Sequence, residues 1–119
     1  MALVLVAEDE LELAATLASV LRAAGHEVTT TPNGHEALRL ALARPPDLLI
    51  SDWALEGSVD GIALIEAVRA EQSGLRAILM TGYPSARLRS WAASGGAVGL
   101  LEKPFPLAEL RALVARVLG

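Results

Sequence analysis

Short apolar runs recur along this chain, and each closes on a charged or hydroxyl residue. Leu3-Val4-Leu5-Val6-Ala7 runs into Glu8-Asp9, and Leu48-Leu49-Ile50-Ser51 into Asp52. Ala77 to Met80 leads to Thr81, and Val98-Gly99-Leu100-Leu101 leads to Glu102 and Lys103. Continuous apolar runs of this length mark strands buried on both faces, as in a parallel sheet covered by helices on either side. In an open parallel sheet the C-terminal strand ends converge on one crevice, where ligands bind. The alternation therefore constrains the fold and gathers the polar residues at one place. Lys103 is the only lysine, the other nine basic residues being arginine, and aspartate occurs only at 9, 47, 52 and 60.

Between the runs lie helical periods. Leu13, Leu17, Val20 and Leu21 share one face, stopped by Gly25. Val28 to Thr31 reads as a β-branched strand, less apolar and so nearer an edge. Asn33-Gly34 opens a second helix with Ala37, Leu38, Ala41 and Leu42 on one side, and Pro45-Pro46 ends it. A loop with Gly57 and Gly61 leads to a third, carrying Leu64, Ile65 and Val68. Pro84 to Ser94 is the weakest helix, with Arg87, Arg89 and Trp91 and no clean apolar stripe; Gly95-Gly96 stops it. Leu107, Leu110, Leu113, Val114 and Val117 make the last helix amphipathic. Five strand–helix units in 119 residues predict one domain, residues 1–119, a doubly wound sheet with right-handed crossovers.

Composition removes several function classes. The chain is 53% hydrophobic, enough for a filled core. A net charge of -4 argues against a general nucleic-acid binder, which shows a basic face. The absence of cysteine excludes disulfides, thiolate metal sites and thiol catalysis. No apolar stretch reaches membrane-spanning length. The Met1–Ala7 run lacks a basic leader and meets acid at Glu8, a poor signal peptide, so the expected compartment is the cytoplasm.

Three carboxylates at neighbouring strand ends repel one another unless a cation sits among them. With oxygen ligands only, Mg²⁺ or Mn²⁺ fits, and Mg²⁺ characteristically takes one or two carboxylates plus phosphate oxygens. Lys103 supplies a positive point charge and Thr81 a hydroxyl. A carboxylate nucleophile, Mg²⁺, lysine and threonine together constitute a phosphoryl-transfer site.

In order along the chain, these residues resemble the receiver domain of bacterial two-component response regulators. Glu8-Asp9 resembles the acidic pair, Asp52 the phosphoacceptor, and Asp60-Gly61 the Asp-Gly after the third strand. Thr81-Gly82 resembles the Thr/Ser plus small residue, and Lys103-Pro104-Phe105 the Lys-Pro-Phe. The resemblance implies a flavodoxin-like α/β fold with strand order 2-1-3-4-5. It also implies Mg²⁺ held by Asp9, Asp52 and the Ala54 carbonyl, with Glu8 acting largely through water. Thr81, Gly82, Lys103 and Pro104 would bind the phosphoryl group or switch with it, and the Lys103–Pro104 bond would be cis. The partner would be a histidine kinase or a histidine phosphotransfer protein, relaying a conformational signal to a downstream protein rather than to nucleic acid or membrane. Met80 to Pro84 and the loop after Asp52 resemble receivers that stand alone or belong to hybrid kinases.

Two departures stand out. Family members usually read Asp-x-x-Met-Pro, whereas Asp52-Trp53-Ala54-Leu55 continues with Glu56-Gly57-Ser58-Val59, one residue longer before Asp60-Gly61. Receivers also place Tyr or Phe three residues before the lysine, where this chain has Leu100. Phosphorylation chemistry survives both changes; the aromatic readout does not. A haloacid-dehalogenase-type phosphatase would need an acid/base Asp where Ala54 stands. A flavodoxin would need a Gly-rich loop where Glu8-Asp9-Glu10 would repel phosphate. A receiver-fold interaction module independent of phosphate is the remaining rival, favoured by Leu100 and opposed by the intact acids. His26 and His35 are expected to be solvated, and Trp91 is equally a packed residue or part of a partner surface.

Overall fold

The computed structural model describes all 119 residues. Five parallel strands, β1 (Leu3–Ala7), β2 (Glu27–Thr31), β3 (Leu48–Asp52), β4 (Ala77–Thr81) and β5 (Gly99–Glu102), form one sheet in the order β2-β1-β3-β4-β5. Helices α1 (Leu11–Ala23), α2 (Gly34–Ala43), α3 (Gly61–Glu71) and α4 (Ala86–Trp91) connect them, and α5 (Leu107–Leu118) follows β5. This is the architecture and strand order expected from the sequence.

Alternate residues of each strand point to opposite faces of the sheet. Val4, Val6, Leu48, Ile50, Ile78, Met80 and Leu101 pack under α1 and α5, against Leu17, Leu21, Leu110 and Val114. Leu5, Ala7, Leu49, Ala77 and Leu79 pack under α2, α3 and α4, against Ala37, Ala41, Leu64, Ile65, Val68 and Leu88. Both faces are covered, so β3 and β4 are buried along their whole length. Burying each large aliphatic side chain contributes about 1.5–3 kcal/mol, which lets the sheet tolerate acids clustered at one end.

Three boundaries differ from the sequence expectation, the smallest being β2, which begins at Glu27 rather than Val28. β5 is Gly99–Glu102 rather than Val98–Leu101: its register against β4 runs from Ile78–Gly99 to Thr81–Glu102, with Val98 N–H bonding Ala77 O one residue before the first pair. Hydropathy cannot see such a one-residue offset, since Glu102 is a polar strand end paired with Thr81. The helix expected over Pro84–Ser94 is regular only at Ala86–Trp91; a π-helical turn, Ala92–Gly96, completes it. Gly95, at φ 98°, makes the expected stop. Trp91 is packed and half-buried: a side chain on Gly96 would collide with its ring. His26 also departs from expectation, being half-buried with Nδ1 accepting the Ala2 N–H at 3.1 Å.

Candidate functional site

The strand register assembles the site. Ala7 is level with Ser51, so one step further brings Glu8 level with Asp52. Asp52 is paired with Met80, and Thr81 with Glu102, which puts Thr81 and Lys103 on the next strand ends. Backbone bonds extend the sheet past the strands: Glu8 N–H to Thr31 O at 3.0 Å, Trp53 N–H to Met80 O at 2.8 Å and Lys103 N–H to Thr81 O at 2.8 Å.

Glu8, Asp9 and Asp52 converge, with one oxygen from each lying within 4.8 Å of the others. Asp9 is exposed, while Glu8 and Asp52 are buried. Lys103 Nζ donates to Glu8 Oε1 at 2.6 Å and stands 3.3 Å from Asp52 Oδ2. The other Glu8 oxygen accepts Glu10 N–H at 3.0 Å. Both Glu8 oxygens are thus engaged, whereas Asp9 makes no protein hydrogen bond and opens to solvent. The all-oxygen, anionic donor set of Glu8, Asp9 and Asp52 fits a hard divalent cation such as Mg²⁺.

Burial drives the electrostatics. Desolvation pushes the Glu8 carboxyl above its ordinary value, against the pull of its hydrogen bonds to Lys103 and Glu10. Asp52 is likewise raised, first by burial and further by the charge of Asp9, with Lys103 opposing. Burial alone would lower the Lys103 ammonium, but the bond and charge of Glu8, then Asp52, hold it above its ordinary value. With its acids ionised the site sets three carboxylates against one ammonium, an excess of negative charge that one divalent cation would neutralise, and one lysine serves two acids.

The remaining expected residues divide. Thr81 is buried, with Oγ1 accepting Tyr83 N–H at 3.0 Å, which leaves the hydroxyl proton free to donate. Gly82 is exposed, and a side chain there would meet nothing within 4 Å. Pro104 is exposed and its bond to Lys103 is cis. Ala54 lies exposed in the loop after β3, and Leu100 is half-buried in β5. Asp60 is not part of the acid cluster; its side chain caps α3, accepting Ala63 N–H at 2.8 Å. Its neighbour Gly61 is required by close approach, since a Cβ would collide with the Asp52 carbonyl oxygen. Asp47 is structural, with Oδ2 accepting Leu3 N–H at 2.7 Å.

The chain matches the response regulator receiver domain over residues 4–115. The chain belongs to this family. It is 34% identical to the DNA-binding transcriptional regulator NtrC of Salmonella typhimurium over 98% of its own length and 25% of NtrC. It is similar to the HemR receiver domain of Leptospira biflexa, at TM-score 0.93 and 26% identity, covering 100% of this chain and 95% of that one. It is also similar to TrrA of Thermotoga maritima, solved in complex with Mg²⁺–BeF, at TM-score 0.86 and 30% identity over 98% of this chain and 99% of that one. The chain spans between a quarter and a half of the length of curated relatives such as NtrC and PrrA. As a receiver it is a signalling module of two-component systems, and its acidic cluster fits the phosphorylation site with Mg²⁺.

One feature of this receiver has no local sequence signal. Asn33-Gly34 is legible as a helix start, and Asn33 Oδ1 does cap α2 through Glu36 N–H at 3.1 Å. Asn33 also bridges to Glu56, and His35 Nε2 lies 2.8 Å from Ser58 Oγ. The loop after Asp52 is therefore tied to the β2–α2 connection. No helix is long and apolar enough to cross a membrane.

Proposed function

We propose that Asp52 accepts a phosphoryl group from a phosphohistidine donor and that residues 1–119 act as one receiver unit. An Asp52 carboxylate oxygen attacks phosphorus, the phosphorus–nitrogen bond breaks, and the donor imidazole leaves with its electron pair. The product is an acyl phosphate on Asp52. Lys103, already 3.3 Å from Asp52, neutralises the transferred oxygens, and the Thr81 hydroxyl donates to one of them. Asp9, Asp52 and the Ala54 carbonyl would hold Mg²⁺, with Glu8 contributing through water. Bound there, Mg²⁺ supplies charge neutralisation of the phosphoryl oxygens. Mn²⁺ meets the same ligand requirement.

The observation that carries this reading is the placement of Asp52, buried at the end of the central strand, between an exposed carboxylate and the chain's only lysine. An open groove of about 380 Å³ beside Lys103, lined by Leu13, Pro104, Phe105 and Leu107 among others, suits an apolar partner helix. The partner is a histidine kinase or phosphotransfer protein in the cytoplasm, and the output is a protein contact rather than nucleic acid or membrane. Acetyl phosphate with Mg²⁺ should add one acid-stable, base-labile phosphoryl group, detected by intact mass. Labelling of Asp52→Asn to the wild-type extent would overturn the assignment.

A further inference from the structure

We propose that the β2–α2 junction, Pro32 and Asn33 with Gly34 and His35 of the first turn of α2, is a strut that sets the metal preference of the site, holding the loop that carries Ala54 so that Mg²⁺ is favoured over the larger Ca²⁺. The inference rests on the metal assignment above and assigns positioning roles to Gly34, His35 and Ser58.

The loop after β3 is anchored at its base, where Trp53 N–H bonds Met80 O and Gly61 N–H bonds Trp53 O, both at 2.8 Å. Between these anchors the largely exposed segment from Ala54 to Ser58 runs beside the acids, and its further ties come from the β2–α2 junction. The Glu56 backbone is met from both sides by long, weak hydrogen bonds, its N–H donating to Pro32 O and its C=O accepting Gly34 N–H, each at 3.4 Å. The His35–Ser58 bond at 2.8 Å adds a side-chain tie. Val59 lies so close over Gly34 that a Cβ there would collide with the Val59 carbonyl oxygen and sit 2.9 Å from the Val59 side chain.

The other end of the strut is rooted in the site. Thr31 O accepts Glu8 N–H at 3.0 Å, and Thr31 Oγ1 accepts Asn33 N–H at 3.4 Å. The loop thus links the acid pair after β1 to the segment after β3. Mg²⁺ demands near-octahedral oxygens at about 2.0–2.1 Å, whereas Ca²⁺ accepts six to eight oxygens at about 2.3–2.6 Å in flexible arrangements. A loop held in place cannot open for the larger ion; a loop set free can.

Trp53 adjoins Asp52, so its fluorescence should change on metal binding, with Trp91→Phe removing the second indole. In that background Mg²⁺ and Ca²⁺ are titrated against Gly34→Ala, Ser58→Ala and Ser58→Thr. Gly34→Ala wedges the two loops apart and should weaken Mg²⁺ by about tenfold, the low end for loss of an outer-shell support, with Ca²⁺ little changed. Ser58→Ala should shift the Mg²⁺/Ca²⁺ preference the same way by about two- to threefold, the scale of one exposed hydrogen bond, and Ser58→Thr should restore it. Ser58 is exposed, so its variants decide the matter even if Gly34→Ala does not fold. A merely structural strut would lower Tm and leave the preference of the folded protein unchanged, and that result overturns the inference. Asp9→Asn separates the two readings. If it abolishes the Mg²⁺ response while the Gly34 and Ser58 variants keep the wild-type preference, the metal site stands and the strut falls. An unaltered titration in Asp9→Asn overturns the metal assignment and the strut with it.

Discussion

Lys103 and Glu8, 95 residues apart in sequence, meet at 2.6 Å in the wall of the acid cluster, and the carboxylate is fully buried there. Lys103 is closer to Glu8 than to Asp52. In this state the lysine's primary partner is therefore Glu8, and transfer of a phosphoryl group to Asp52 would offer it a competing anion.

Removing the lysine should be costly for this reason. Lys103→Met leaves Glu8 buried without its cation, and breaking a buried pair by deleting one partner costs about 3–5 kcal/mol. Lys103 keeps a fifth of its side chain exposed, which places the expected loss at or just below the lower end. Urea unfolding should show it, and Glu8→Gln combined with Lys103→Met should recover more than half. Equal stability of Lys103→Met and wild type would show that the pair contributes nothing.

Asp52 should act in the opposite sense. Burial raises its value, so the folded chain binds that proton more tightly than the unfolded chain. The ionised carboxylate then costs stability above the raised value, and the cost fades as pH falls through it. Asp52→Asn should therefore raise Tm at neutral pH in metal-free buffer, by about 4 °C if the relief is ~1 kcal/mol. The gap should narrow as pH is lowered, and narrow again when Mg²⁺ stabilises the wild type. Thermal melts across pH, with and without Mg²⁺, check both; a Tm below wild type throughout contradicts the sign.

Signal output should involve the segment from Thr81 to Arg89. Leu100 has no ring to rotate, and α4 is six residues long with only Leu88 buried. Few buried contacts make a segment prone to population shifts. Hydrogen exchange with beryllofluoride, a mimic of the acyl phosphate, should differ there from the free protein, as Thr81 is drawn to the anion. Identical exchange in both states speaks against a receiver-type switch in this segment.

Gly61→Ala tests the close approach behind Asp52. The added methyl collides with the Asp52 carbonyl, and forced overpacking of this kind costs about 1–3 kcal/mol. Gly82→Ala, where the methyl meets open space, should remain within about 0.5 kcal/mol of wild type. Denaturant midpoints of the two variants, measured together, should separate clearly.

Much of this is legible in the amino-acid sequence. The continuous apolar runs dictated buried parallel strands, since only a sheet covered on both faces accommodates Leu48-Leu49-Ile50 with no polar alternate. The residues closing those runs had to meet, because parallel strands end on one side. That is how Glu8, Asp9, Asp52, Thr81 and Lys103 could be grouped from sequence. Tertiary structure alone decided the finer matters. Lys103 pairs chiefly with Glu8 because the β1–β3 register and burial place that oxygen nearest, and periodicity carries no register. Asp60 caps a helix while Asp9 faces the crevice, although both are acids after a strand. The tie between His35 and Ser58, 23 residues apart, depends on how two loops fold over each other. Hydrophobic period reports which face of an element is buried; it says nothing about which polar groups come within 3 Å across that buried layer.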